Sequence, residues 1–163
     1  MHRVIVIGCP GSGKSTFSRA LHLKTGLPLF HLDQLNWNAD RTCVERPVFL
    51  ARLADAMQGP EWILDGNYRS TMELRLQACD TVFFLDYPLE ICLEGIRERR
   101  GKARPDMPWQ ERASEEDAAF IGFVECYRTE SRPEVLALLQ RHSGKEIHVF
   151  TSREQAAAFL NRL

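Results

Sequence analysis

Residues 8 to 15 form a loop whose residue types and spacing are suited to binding phosphate. They read Gly-Cys-Pro-Gly-Ser-Gly-Lys-Ser, a full match to the pattern G-x-x-x-x-G-K-[ST]. Glycines let the backbone curl so that successive N–H groups point inward, and a following helix directs the positive end of its dipole to the same point. In this arrangement Lys14 reaches the β- and γ-phosphates of a nucleotide, and the Ser15 hydroxyl ligates Mg²⁺.

We call residues 8–15 the phosphate loop. It follows the apolar residues 4–7, which are typical of a buried strand, and it precedes a segment in which Phe17, Ala20 and Leu21 share one helical face. Phosphate binding requires this strand–loop–helix context, and an ordinary Gly-rich turn is the alternative. The expected cofactors are therefore ATP and Mg²⁺. The expected nucleotide-binding residues are Gly8, Pro10, Gly11, Ser12, Gly13, Lys14, Ser15 and Thr16.

Short apolar runs alternate with helical patterns along the chain, which predicts a parallel sheet with helices on both faces. The predicted strands are 3–7, 28–32, 62–64, 81–85 and 146–150. The predicted helices are 14–25, 47–58, 70–78, 89–100, 114–141 with an interruption near Pro133, and 154–160. Ligands of such sheets bind beyond the carboxyl ends of the strands. We therefore expect the polar residues that follow the strands to form the site.

Two aspartates are candidates for the carboxylate that supports Mg²⁺. Asp65 closes the strand at 62–64 and is the first choice, either as a direct ligand or one step removed from the metal. Ser15 and Asp65 are thus the predicted metal residues, although Asp65 before Gly66 is also typical of a turn. Asp86 closes another apolar strand and ranks second, because a helix-capping role competes there.

Asp33 is the candidate for chemistry on an acceptor. It ends the predicted strand at 28–32, and a carboxylate there is able to orient an acceptor hydroxyl or take its proton. Trp37 offers a flat wall for a ring. The alternative is that Asp33 caps a turn and Trp37 belongs to the core.

An arginine-rich segment after the fourth strand predicts a short lid at about residues 99–113. Arginine donates paired hydrogen bonds to phosphoryl oxygens, and a lid over the phosphate loop excludes water during transfer. Arg99 and Arg104 are the predicted phosphate contacts, and a solvated charged helix face is the alternative. The basic residues of the segment are Arg97, Arg99, Arg100, Lys102, Arg104 and Arg112.

Composition is consistent with one domain spanning 1–163. The 163 residues are 44% hydrophobic and 26% charged, enough for a sizeable core without disulfides. A net charge of -1 argues against direct nucleic-acid binding, and no apolar stretch reaches transmembrane length, so we expect a cytoplasmic protein without membrane contact.

The five widely spaced cysteines are expected to be reduced, and a thiol at the Cys9 position, beside a helix N-terminus, is a candidate for a lowered pKa.

Nearly the whole chain resembles the adenylate kinase-like P-loop kinases and, among them, the group called DNA topology modulation proteins. The resemblance is carried by the phosphate loop, by His-Leu-Asp-Gln-Leu-Asn-Trp at 31–37, by Trp-Ile-Leu-Asp-Gly-Asn-Tyr at 62–68 and by Arg-Pro-Asp-Met at 104–107. It implies a three-layer P-loop NTPase fold with a five-stranded parallel sheet. Asp65-Gly66 followed by Arg69 is similar to the Asp-Gly-Phe-Pro-Arg stretch of adenylate kinases, which implies that Arg69 binds an acceptor phosphoryl group.

The function that these patterns predict is ATP- and Mg²⁺-dependent phosphoryl transfer to a small molecule, a nucleoside, nucleotide or related metabolite. The predicted catalytic residues are Lys14, Asp33, Arg69, Arg99 and Arg104. The alternative is an ATP-binding regulatory protein linked to DNA topology and without small-molecule kinase activity.

Overall fold

Five short strands of nearly continuous apolar sequence pair into one parallel sheet. The computed structural model describes residues 1–99, 101–102, 105–108 and 118–163. The strand order is β2-β3-β1-β4-β5, and every pairing is parallel. The strands are β1 (Arg3–Gly8), β2 (Leu29–His31), β3 (Trp62–Asp65), β4 (Thr81–Leu85) and β5 (Glu146–Phe150).

Helices cover both faces of this sheet and complete three layers. They are α1 (Lys14–Thr25), α2 (Leu32–Asn36), α3 (Arg46–Ala56), α4 (Arg69–Ala78), α5 (Leu89–Arg99), α6 (Ala118–Arg141) and α7 (Arg153–Leu160). In the described part of the chain, no helix combines the length and the apolar composition needed to span a membrane.

Alternate residues of the strands serve two separate cores. Val4 and Val6 of β1 pack with side chains of α1, α5, α7 and the first half of α6, whereas Ile5 and Ile7 pack with α3, α4 and the second half of α6. All four side chains are fully buried. Burial on both faces explains why the central strands β1, β3 and β4 are apolar at successive positions instead of at every second one. The α/β fold with a five-stranded parallel sheet, predicted from that pattern, is confirmed.

The sheet order positions the phosphate loop. β1 lies in the centre, with β3 on one side and β4 on the other, so the chain leaves β1 at the point where the strand order changes direction. Open α/β sheets bind their ligands at this point, beyond the carboxyl ends of the strands.

Two local predictions were wrong. Leu32 and Asp33 do not extend β2 but begin the short helix α2, because β2 is an edge strand that pairs with β3 over three residues and Leu32 turns into the core. Pro133 does not interrupt α6, which runs through it. Burial of Tyr127, Val135 and Leu139 along α6 outweighs the one hydrogen bond that a proline removes.

Candidate active site

The phosphate loop joins β1 to α1, and its backbone turns back on itself. The N–H of Ser12 donates to the carbonyl of Cys9 at 3.1 Å, and α1 begins after Gly13, whose φ is 86°. The ammonium of Lys14 donates to the carbonyls of Gly8 and Cys9, at 3.1 Å each. The cation that the sequence assigns to phosphate binding therefore lies directly beside the loop backbone.

Gly11 and Gly95 allow the phosphate loop to touch α5 backbone to backbone. A Cβ on Gly11 would lie 2.0 Å from the carbonyl oxygen of Cys92, and a Cβ on Gly95 would lie 2.1 Å from the carbonyl oxygen of Gly11. No side chain fits at either position, because its Cβ would overlap with a backbone oxygen of the closely packed neighbour. The two glycines are therefore required for the contact that supports the loop from α5.

The side chain of Ser15 contacts a carboxylate that the sequence analysis did not select. Its hydroxyl donates to Asp106 Oδ2 at 3.1 Å, and Arg19 Nη1 lies 3.7 Å from Asp106 Oδ1. Asp106 is buried. The signal in the sequence was its place in the Arg-Pro-Asp-Met stretch at 104–107, but nothing in the linear spacing connects that stretch with Ser15.

Asp65 is the last residue of β3 and is buried at the carboxyl end of the sheet, where it forms a pair with a histidine. Its Oδ2 lies 2.7 Å from His31 Nδ1, and both side chains are buried. The other carboxylate oxygen, Oδ1, has no hydrogen-bond partner among the described residues. A magnesium role for Asp65 stays a prediction, and the structure adds that this carboxylate already has one buried partner.

Asp86, the second candidate for the metal, is held by an arginine of α6. Arg132 Nε donates to Asp86 Oδ1 at 2.8 Å, and Arg132 Nη2 donates to Asp86 Oδ2 at 2.7 Å. A carboxylate bound on both oxygens by one guanidinium is a strong, directional ion pair. Sequence reasoning had not selected Arg132, because a single arginine within a long helix looks like any solvent-facing charge.

Asp33 lies in the first turn of α2 and accepts a hydrogen bond at 2.8 Å from the hydroxyl of Tyr68. Burial, together with the charge of Asp33, raises the pKa of the Tyr68 phenol, so the phenol stays protonated and acts as a donor. The φ of Tyr68 is 35°, a left-handed value that is uncommon for a bulky residue. The turn that holds Tyr68 against Asp33 is therefore strained, and strain of this kind is concentrated at functional sites.

A buried arginine supports that turn. Arg75 of α4 donates to the carbonyls of Gly66 at 2.9 Å and Tyr68 at 3.2 Å, and also to the carbonyl of Asn67. Its side chain is fully buried, and burial lowers its pKa to about 10. The amide of Asn67 in turn pairs with the backbone of Gly8. Arg75 of α4 thus holds the loop after β3 in place. That loop, through Asn67, holds the first residue of the phosphate loop in place.

Two of the predicted catalytic arginines lie in described parts of the chain. Arg69, the first residue of α4, forms a half-exposed ion pair with Glu134 at 2.6 Å. The guanidinium carbon of Arg99 lies 5.4 Å from the ring centroid of Phe120. Arg104, with Arg100, Arg112 and most of the predicted lid, lies outside the described residues.

A cavity of about 190 Å³ separates the loop after β3 from α6. Residues 67–69 form one wall, and Phe123, Tyr127, Ser131 and Val135 of α6 form the other. Arg69 therefore lines a space between two elements of the candidate site, large enough for part of a small molecule.

The Cys9 thiol, whose position made it a candidate for a lowered pKa, has a raised pKa instead. The side chain of Cys9 is buried, and its Sγ lies 4.0 Å from the carbonyl of Val124. A hydrogen bond with Cys92, together with burial, raises the pKa of the Cys9 thiol. These effects outweigh the field of the following helix, so the thiol is a packing group.

Comparison with solved structures identifies the fold. The chain is similar to the shikimate kinase from Acinetobacter baumannii, solved in complex with shikimate, with a TM-score of 0.61 and 17% sequence identity. The likeness covers 99% of this chain and 90% of that one. The two chains share an α/β fold in which helices flank a five-stranded parallel sheet, as in P-loop NTPases. No protein-family model and no curated protein sequence matches the chain. Likeness to adenylate kinases or to the DNA topology modulation group stays a prediction.

Proposed function

We propose that the protein is an ATP- and Mg²⁺-dependent phosphotransferase whose acceptor is a small molecule, a nucleoside, nucleotide or related metabolite. The observation that carries the proposal is the complete phosphate loop, at the central strand of a sheet with a P-loop kinase fold. Asp33 and Tyr68 lie on the two elements that follow the neighbouring strands, at the same edge of the sheet.

The phosphate loop supplies the donor site. Backbone N–H groups and the N-terminus of α1 bind the phosphates of ATP. When ATP binds, the ammonium of Lys14 donates hydrogen bonds to phosphate oxygens in place of the carbonyls of Gly8 and Cys9. The hydroxyl of Ser15 and a nearby carboxylate fit Mg²⁺, which prefers oxygen ligands and is held by few protein groups beside the phosphates. Bound Mg²⁺ neutralises charge that develops on the transferring phosphoryl group.

Asp33 and Tyr68 supply the acceptor side. The phenol of Tyr68 donates to one oxygen of Asp33 and holds the carboxylate at this edge of the sheet, where a carboxylate is suited to orient an acceptor hydroxyl or receive its proton. Arg69 suits an acceptor phosphate or carboxylate, because its present partner Glu134 is half exposed and such ion pairs contribute only about 0–1 kcal/mol. An anionic group of the acceptor is thus able to replace Glu134 at little cost.

The decisive experiment follows labelled γ-phosphate from ATP in the presence of Mg²⁺ and a panel of acceptors. The panel contains nucleosides, nucleoside monophosphates and small polyhydroxy carboxylic acids, the last because the structural neighbour was solved with shikimate. We expect one class to accept label far faster than water does. ATP binding without any acceptor-dependent transfer would contradict the proposal and favour the regulatory alternative.

Two lysines of α1 provide the matched variants. Lys14→Ala should lower transfer by roughly a hundredfold or more, because it removes a cation aimed at charge that develops in the transition state. Lys24→Ala removes an equal charge at the exposed far end of the same helix and should leave transfer unchanged. Equal rates in both variants would separate the phosphate loop from the activity.

A further inference from the structure

Asp106 is a carboxylate brought to the phosphate loop from outside the sheet. Its Oδ2 accepts a hydrogen bond from the hydroxyl of Ser15 at 3.1 Å, and its side chain is buried. The preceding residue is anchored as well, since Gln34 Nε2 donates to the carbonyl of Pro105 at 2.6 Å. The segment at 105–108 therefore bridges α1 and α2 at the mouth of the phosphate loop.

The contact uses the spacing of α1. Ser15 and Arg19 are four residues apart and lie on the same face of the helix, and both reach Asp106. Arg19 Nη1 lies 3.7 Å from Asp106 Oδ1. One oxygen of the carboxylate is thus directed to the serine and the other to the arginine.

The other acidic residues near this edge of the sheet have different partners. Among the described side chains, Asp65 is bound through Oδ2 alone to buried His31, and both oxygens of Asp86 are bound by Arg132. Asp33 accepts from Tyr68. Within the described ranges, Asp106 is the carboxylate that is hydrogen-bonded to Ser15.

We propose that Asp106 is the carboxylate that positions Mg²⁺ in this protein. This proposal rests on the proposed function. Because the Ser15 hydroxyl donates its hydrogen bond to Asp106, the lone pairs of the serine oxygen would be available to ligate Mg²⁺. A buried carboxylate beside bound phosphates would repel them, and a divalent cation held by Ser15 and Asp106 would offset that repulsion. The role that a strand-end aspartate has in other P-loop proteins is here supplied by the segment after α5.

The test is the linkage between Mg²⁺ and ADP binding, measured by titration calorimetry with Mg²⁺ and with EDTA. In the unmodified protein Mg²⁺ should tighten ADP binding. Asp106→Asn, which keeps the shape and loses the charge, should reduce this tightening at least tenfold while ADP affinity in EDTA stays equal or improves. Asp55→Asn removes an exposed carboxylate of α3 and should keep the full effect of Mg²⁺.

A measurement on the unmodified protein avoids any question of folding. Mn²⁺ added with ADP should broaden the backbone amide resonances of Asp106 and Ser15 strongly, and that of His142, at the far end of α6, much less. Equal broadening at Asp106 and His142 would overturn the proposal.

Two further outcomes also overturn it. The first is that Asp106→Asn keeps the whole Mg²⁺ effect. The second is that Asp106→Asn tightens ADP binding equally with Mg²⁺ and with EDTA, which would mean that Asp106 obstructs the phosphates. Failure of the proposed function has a different signature: the unmodified protein would bind Mg²⁺ and ADP as described and transfer phosphate to no acceptor.

Discussion

Asn67 binds both polar backbone atoms of Gly8. Its Nδ2 donates to the Gly8 carbonyl at 2.7 Å, and its Oδ1 accepts the Gly8 N–H at 3.0 Å. The same carbonyl also accepts from Lys14 at 3.1 Å. A side-chain amide is suited to this position because it carries one donor and one acceptor side by side. The loop after β3 thereby sets the geometry of the first residue of the phosphate loop.

We expect Asn67→Ala to weaken ADP binding about tenfold, since loss of both hydrogen bonds costs roughly 1–3 kcal/mol. Asn67→Asp keeps the acceptor, loses the donor and adds a negative charge near the phosphates, so it should weaken ADP binding more than Asn67→Ala does. Calorimetry measures both. Asn161→Ala, at an exposed position after α7, is the control. ADP binding by Asn67→Asp as tight as that of the control would contradict this role.

The ion pair of Asp86 and Arg132 should be visible in a double-mutant cycle. Asp86 is buried and Arg132 is 29% exposed, so removal of the arginine leaves a buried carboxylate without its main partner. We expect Arg132→Gln and Asp86→Asn each to lower the free energy of unfolding, with a coupling of about 1–3 kcal/mol between them. Urea unfolding of the unmodified protein, the two single variants and the double variant measures this coupling. Additive single effects would mean that the pair adds no stability.

The fold was predictable from the sequence because its signals are local. Continuous apolar runs predict strands buried on both faces, and the phosphate loop reports its own strand and helix. The partners Asn67 to Gly8, Arg132 to Asp86 and Asp106 to Ser15 were not predictable, since each joins residues 46 to 91 positions apart. Such pairs depend on the order of the strands and the packing of helices, which spacing along the chain does not encode.

Asp80 should make stability depend on pH. Burial raises its pKa, but hydrogen bonds from Thr81 and from the N–H groups of Arg3 and His2 lower it more, so the pKa falls below its ordinary value of 3.8. The ionised form therefore stabilises the folded state above that value, and the stabilisation is lost as the pH falls through the pKa of the folded protein.

We accordingly expect Asp80→Ala to lower the free energy of unfolding by about 1–2 kcal/mol at pH 7, an amount typical of hydrogen bonds to a charged group near the surface. The difference from the unmodified protein should shrink as the pH approaches 3. Urea unfolding at a series of pH values measures it, with Asp55→Ala as an exposed control. A difference that does not change with pH would mean that the loss comes from packing instead of charge.

Arg99 and Arg97 allow the predicted lid to be tested from its described end. Both are basic residues in the last turn of α5, but Arg97 is exposed, whereas Arg99 is half-buried and lies over the ring of Phe120 at 5.4 Å. If Arg99 contacts the transferring phosphoryl group, one charge-assisted hydrogen bond contributes about 1.5–3 kcal/mol, so Arg99→Ala should slow transfer roughly tenfold to a hundredfold. Arg97→Ala should leave the rate unchanged. The readouts are kcat with whichever acceptor of the panel takes up labelled phosphate, and the melting temperature. Loss of the Phe120 contact alone would lower stability without an effect on kcat. A normal kcat in Arg99→Ala would assign this arginine to the packing of α5 against α6.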